Sequence, residues 1–276
     1  MEKRKKLELN KIYCMDALEF LSKIKDGVVD MVLCDLPYGT TTCKWDTIIP
    51  LDKLWKEYKR IIKVDGIVVL TATQPFATDL INSNRDWFKY DLIWNKKRAT
   101  GMFNAKIMPM RLHEHILIFY KSVGTFNPQM LPKPIEFQRP NRVKNAIKKP
   151  TAESECWGTK PKYAEDYDDT IKNPVSILEY SSINNFSNKR KHPTEKPLDL
   201  FKWLIKSYSN EGDLVVDNCI GSGTTAVACK QTNRNFIGCD ISQEYVDIAN
   251  KRLNQSVLTS IPHTTKVGGF KWKKEK

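Results

Sequence analysis

Long apolar runs are missing from this chain of 276 residues. Nowhere do about 18 apolar residues follow one another, the length a helix needs to cross a bilayer, so no membrane span is expected. The opening residues 1–6 (MEKRKK) are basic but lack an apolar stretch behind them, so a secretory signal is not expected either. Histidine is scarce, at 4, and the chain has neither an H-E-x-x-H nor a C-x-x-C pattern. The 7 cysteines are odd in number, which argues against a disulfide framework; with so few histidines no metal site is expected. A reducing cytoplasm suits them. Glycine and proline are also sparse, at 12 and 14, which excludes a collagenous or low-complexity chain. Acidic residues are in deficit, with 32 Asp and Glu against 45 Lys and Arg, for a formal charge of +13.

What is present describes a globular protein with a sizeable core: 41% hydrophobic and 28% charged residues, in a length that fits one large α/β domain or two small ones. The excess charge is unevenly placed. Residues 1–6 carry +3, 266–276 carry +4 and 121–150 carry +6, whereas 151–180 carry −4 and 181–196 carry +3. A near-neutral body thus bears basic tails and one polarised central segment. That segment is rich in proline (Pro128, Pro132, Pro134, Pro140, Pro150) and reads as an irregular insertion. Basic loops of this kind suit phosphate contacts.

Elsewhere short apolar runs alternate with amphipathic stretches. Residues 28–34 (VVDMVLC), 67–72 (IVVLTA), 213–217 (DLVVD) and 235–240 read as strands, with further strands near 90–94 and 115–120. Residues 51–64, 75–84, 195–209, 221–230 and 243–253 read as helices. The alternation predicts a doubly wound, mostly parallel α/β sheet.

Two turns carry chemistry. In residues 213–229 (DLVVDNCIGSGTTAVAC) a strand ends at Asp217, and Gly221, Ser222, Gly223, Thr224, Thr225 and Ala226 satisfy G-x-G-x-x-A. Asp240 closes the next strand and can accept from ribose hydroxyls; the glycines and the helix N-terminus favour a nucleotide. A Walker loop is excluded because no Lys follows the second glycine. Only 53 residues follow Gly223, so the rest of the sheet must come from upstream and the fold must be permuted. The second turn, Asp35, Leu36, Pro37 and Tyr38, ends the strand 28–34. It offers a carboxylate, a backbone carbonyl and an aromatic face, which suit a flipped base bearing an exocyclic amine.

In these two turns the sequence resembles the permuted (β-class) amino-methyltransferases of DNA. Asp35–Tyr38 is similar to that family's D/N/S-P-P-Y turn, and residues 217–225 to its D-P-F-x-G-S-G-T-T turn. Residues 10–16 with Leu18 and Leu21, then Trp94, then His113 and Glu114 before the strand 116–120, fall in the family's order. So do residues 192–197 (HPTEKP), and Asp240 with Glu244 and Tyr245. The resemblance implies a circularly permuted Rossmann-like methyltransferase fold. Residues 1–120 would be its catalytic half, 121–190 an inserted target-recognition region, 191–258 its cofactor half and 259–276 a basic tail. It implies S-adenosylmethionine as cofactor, with Asp16 at the adenine and with Lys196, Asp217, Gly221, Ser222, Gly223, Thr224, Thr225 and Asp240 as further cofactor-binding residues. It implies double-stranded DNA as partner, and leaves room for a homodimer and a paired restriction endonuclease. Leu36 in place of the first Pro is tolerable if that position acts through its carbonyl. Asn218 and Cys219, in place of Pro-Phe, remove an aromatic residue near the cofactor.

Asp35 rather than Ser points, as a family tendency, to N6 of adenine over N4 of cytosine. Lys96, Lys97, Arg98, Arg139, Arg142, Lys144, Lys148 and Lys149 are the DNA-contact candidates. His113 and His115 should share one face of a strand, and Trp45, Trp55, Trp157 and Trp203 are read as packing residues. Four rivals remain open: an N4-cytosine enzyme, an RNA methyltransferase of the same fold, a nucleotide-dependent oxidoreductase, and a DNA-binding protein of this fold without turnover.

Overall fold

The computed structural model describes residues 7–39, 46–138, 170–182 and 195–258, the last with side chains to residue 255. The strands are β1 (Lys11–Cys14), β2 (Val29–Cys34), β3 (Ile62–Ala72), β4 (Phe88–Thr100), β5 (Arg111–Phe119), β6 (Leu131–Pro132), β7 (Ile171–Lys172), β8 (Ile177–Glu179), β9 (Leu214–Asp217) and β10 (Asn235–Asp240). The helices are α1 (Ala17–Ser22), α2 (Leu51–Ile61), α3 (Phe76–Ser83), α4 (Leu198–Tyr208), α5 (Thr224–Gln231) and α6 (Gln243–Leu258).

Among the described residues the main sheet has eight strands in the order β1-β10-β9-β2-β3-β5-β4-β8. All neighbours run parallel except the two pairings of β5, which is the one reversed strand. Strands β9 and β10, late in the chain, sit between β1 and β2, which is the permutation the position of the glycine turn required. Apolar side chains alternate between two cores, as a parallel sheet covered on both faces demands. Met31, Leu33, Ile67, Val69 and Val215 face α4, α5 and α6, while Val32, Cys34, Val68, Leu70 and Val216 face α1, α2 and α3.

One boundary differs from expectation for a physical reason. Helix α2 buries Leu54, Trp55, Tyr58 and Ile61 on one face but stops at Ile61, not at 64. Ile62 is already extended and pairs with Val29, so the strand claims these residues. The insertion expected at 121–190 is not separate from the body at either end. Asn127 donates to the carbonyls of Lys206 and Ser209, and the Phe126 ring lies 5.8 Å from that of Tyr208. At the other end β8 adds in parallel to β4 at the sheet edge. Between them β6 and β7 form a small antiparallel ribbon.

Candidate functional site

Parallel pairing places the ends of neighbouring strands side by side, and here it aligns a row of acids along the carboxyl edge. Asp16 follows β1, Asp240 ends β10, Asp217 ends β9, and Asp35 follows β2; Thr71 on β3 comes next. The register Met31↔Val215 and Val32↔Val216 brings the two turns together across about 180 residues of chain. At roughly 4.8 Å per strand, Asp16 and Asp35 stand about 14 Å apart along this edge.

The Asp35 carboxylate is bonded on both oxygens. Oδ1 accepts from the Tyr38 hydroxyl at 2.6 Å and from the Thr71 hydroxyl; Oδ2 accepts from Lys196 Nζ at 2.5 Å. Lys196 Nζ also lies 3.5 Å from Glu114 Oε2, and Lys96 Nζ lies 3.4 Å from Glu114 Oε1. Two carboxylates and two ammonium groups thus form one nearly closed network. Burial pulls the Lys196 pKa down, but the charges of Asp35 and Glu114 outweigh it and hold the ammonium above its ordinary value. Burial, with the charges of Asp35 and Glu114, pushes the Tyr38 phenol well up, so it acts as a donor. The Tyr38 ring packs 5.5 Å from Phe76, with Lys196 Nζ 5.8 Å from its centroid. The Leu36 side chain is buried in the core, so only its backbone is left for the turn to present.

The glycine turn is held with equal care. Buried Asp217 accepts from the Cys219 N–H at 3.0 Å and the Thr225 hydroxyl at 2.5 Å. Burial pushes its carboxyl up to about 7, against the lowering effect of those hydrogen bonds. Gly223 has φ +82°, and a Cβ there would stand 2.8 Å from the Ala249 Cβ, so glycine lets α6 pack on the start of α5. Asp240 accepts from the N–H groups of Gly221 at 3.0 Å and Ser242 at 2.9 Å; burial raises its pKa against those bonds. Beside it Ile241 is 67% exposed, an uncovered apolar side chain next to a carboxylate. Asp16 caps α1, its Oδ1 accepting from Leu18 and Glu19 N–H at 2.9 and 3.0 Å.

Arg252 and the dipeptide Glu195–Lys196 tie the turns together. Arg252 Nη1 donates to the Ser222 carbonyl at 3.3 Å, and to the hydroxyls of Ser222 and Thr224 at 3.0 Å each. It also meets Glu195 Oε1 at 2.7 Å. Glu195 is the neighbour of Lys196, so one dipeptide grips the glycine turn through Arg252 and the Asp35 turn directly. Lys196 is therefore placed at the Asp35 carboxylate rather than at the glycine turn. Sequence reasoning missed Thr71 and Arg252, and gave Glu114 and Glu195 only a place in the order of segments.

The structure corrects one DNA-contact candidate. Lys96 is only 5% exposed, and its ammonium is committed to Glu114 and, at 3.2 Å, to the Thr100 hydroxyl. The strand phase was the available signal: Leu92, Trp94 and Lys96 are the inward-facing positions of β4. Lys97 is exposed and pairs with Glu179 at 3.0 Å; Arg98 is exposed. Arg139, Arg142, Lys144, Lys148 and Lys149, with Trp45 and Trp157, lie outside the described residues. His113 and His115 share a face, their rings 5.4 Å apart, and Trp55 is core. Burial pushes up the thiols of Cys34, Cys229 and Cys239, so they stay protonated and are not nucleophiles. Among the described residues no helix is long and apolar enough to cross a membrane.

A family model described as DNA methylase matches residues 29–251. The type II methyltransferase M1.MboII of Moraxella bovis is 32% identical over 90% of this chain and 98% of its own. The DNA adenine methyltransferase YhdJ of Escherichia coli is 26% identical over 91% and 85%. Among solved structures, the M1.HpyAVI–SAM complex superposes with a TM-score of 0.57 at 26% identity, covering 88% of this chain and 99% of that one.

Proposed function

Because this chain belongs to the DNA methylase family, we propose that it moves a methyl from S-adenosylmethionine to N6 of an adenine turned out of double-stranded DNA. The observation that carries the reading is the Asp35 carboxylate, one strand away from the glycine turn and held by Tyr38, Thr71 and Lys196.

The residues of the carboxyl edge fit the cofactor. Asp240 would take ribose hydroxyls and Ile241 a face of the purine; the N-terminus of α5 and the Gly221–Thr225 backbone would receive the amino-acid end. Asp16 would stand at the adenine. Bound there, S-adenosylmethionine supplies a methyl made electrophilic by its sulfonium.

The exocyclic amine of adenine is a weak nucleophile because its lone pair is delocalised into the ring. Asp35 and the Leu36 carbonyl accept its two hydrogens, favour the pyramidal nitrogen and stabilise the positive charge that grows on it. The remaining advantage is alignment, which the shared edge of β9 and β2 provides. Oδ1 of Asp35 already accepts from the hydroxyls of Tyr38 and Thr71 and Oδ2 from Lys196, so an entering amine takes the remaining acceptor site on Oδ2 or displaces one of these donors. Lys196 keeps its proton and Tyr38 keeps its own, so neither serves as base; Asp35 or water receives the departing proton. The type II naming of the relatives points to a restriction–modification setting in the cytoplasm.

Asp35→Ala should abolish transfer of labelled methyl to DNA, by at least about a hundredfold, while S-adenosylmethionine binding is unchanged. Retained transfer would refute the role of Asp35. The oxidoreductase rival predicts binding of NAD, which a side-by-side titration of the two cofactors tests.

A further inference from the structure

The connection between β4 and β5 leaves the sheet at the same carboxyl edge as Asp35 and runs outward. Strand β3 ends at Ala72, level with His115, yet β5 begins at Arg111, so the paired arm extends roughly 14 Å beyond its neighbour. The base of this arm is tied to the site, since Lys96 and Glu114 belong to the network that reaches Asp35. Its tip is ordered. Gly101, at φ +92°, starts a short 3-10 turn over Met102–Asn104, and the Asn104 carbonyl accepts from Ile107 and Met108 N–H at 3.0 Å each.

This ordered tip is apolar and bare. Phe103 is fully exposed, and Met102, Ile107 and Met108 are exposed beside it. Single exposed apolar residues are ordinary, but four within seven positions on a projecting tip form a surface built to be covered. The sides of the arm are basic. Residues 96–113 include Lys96, Lys97, Arg98, Lys106 and Arg111 and no Asp or Glu. Lys97, Lys106 and Arg111 are exposed; among the described residues Glu114 pairs with Lys96 and Glu179 with Lys97. An apolar end between cationic flanks complements a duplex, with its stacked interior and charged rails, and does not complement a second apolar protein face.

We propose that this arm is a DNA wedge. Phe103, supported by Met102 and Ile107, fills the gap in the base stack left by the departing adenine, while Lys106 and Arg111 hold the flanking phosphates. The proposal rests on the base-extrusion reading above and names the group that makes extrusion affordable.

The test compares wild type and Phe103→Ala, each with labelled S-adenosylmethionine, on two versions of one duplex bearing a methylated site found by sequencing. In one version the target adenine is paired with thymine; in the other it faces an abasic site and is already unpaired. Phe103→Ala should lose at least about tenfold on the paired duplex, as expected for one lost base–aromatic stack, and act like wild type on the unpaired one. Phe103→Trp should restore the paired reaction. Equal loss on both duplexes, no loss on either, or a change in oligomeric state accompanying the loss would overturn the wedge. A wild type that methylates neither duplex would instead overturn the reading of the site, and the wedge with it.

Discussion

Asp217 shows how burial sets the protonation of a single acid. Its carboxyl is pushed up to about 7, from 3.8 for the free side chain, chiefly by burial. The folded state therefore binds that proton more tightly than the unfolded chain does. The linkage sign follows: this residue's contribution to stability is largest below the unfolded value and is lost as pH rises through about 7. Asp217→Asn can keep both hydrogen bonds, with its Oδ1 accepting from Cys219 N–H and its Nδ2 donating to Thr225 Oγ1. Urea midpoints measured across this range should show the variant gaining on wild type as pH rises, then levelling off. A difference independent of pH would contradict the shift. Asp35 was legible as a candidate because Pro37 and Gly39 stop a strand abruptly beside an acid. The partners of Asp35 were not legible. Lys196 and Thr71 reach it over separations of 161 and 36 residues, which only the strand order fixes.

Among elements, the two turns act as a unit because of one connection. Arg252 on α6 clasps the start of α5 and Glu195, and the next residue along the chain, Lys196, enters the Asp35 site. The Glu195 side chain is 5% exposed, so losing Arg252 removes the cation of a buried ion pair. Arg252→Met should therefore cost about 3–5 kcal/mol in urea unfolding, and adding Glu195→Gln should recover part of that loss. A cost under about 1 kcal/mol would place the pair in the class of solvated surface bridges. The alternating strands and helices were readable from apolar period and glycine or proline stops. The three-residue β8 was not, because so short a strand has no period of its own and exists through its pairing with β4. Lys96 misled as a charge in a basic run, although the inward phase of Leu92 and Trp94 continues through it.

For the whole molecule, the charge of +13 and the permuted sheet belong to one design. Placing β9 and β10 between β1 and β2 sets the glycine turn beside the Asp35 turn, although they lie near opposite ends of the chain. The basic arm of β4 and β5 extends from that same edge, the side at which a duplex would meet Asp35 on the proposed reading. The relation between these parts could be anticipated only as far as the glycine turn's late position forced strands to come from upstream; the arm's projection depends on the antiparallel pairing of β5. The most direct measurement is to express the chain, and its Asp35→Ala variant, in a bacterial host lacking DNA methylation and to sequence the host DNA with a modification-sensitive method. N6-methyladenine should appear at one recurring sequence with the wild type and be absent with the variant; unmodified DNA, or N4-methylcytosine in its place, would contradict the assignment.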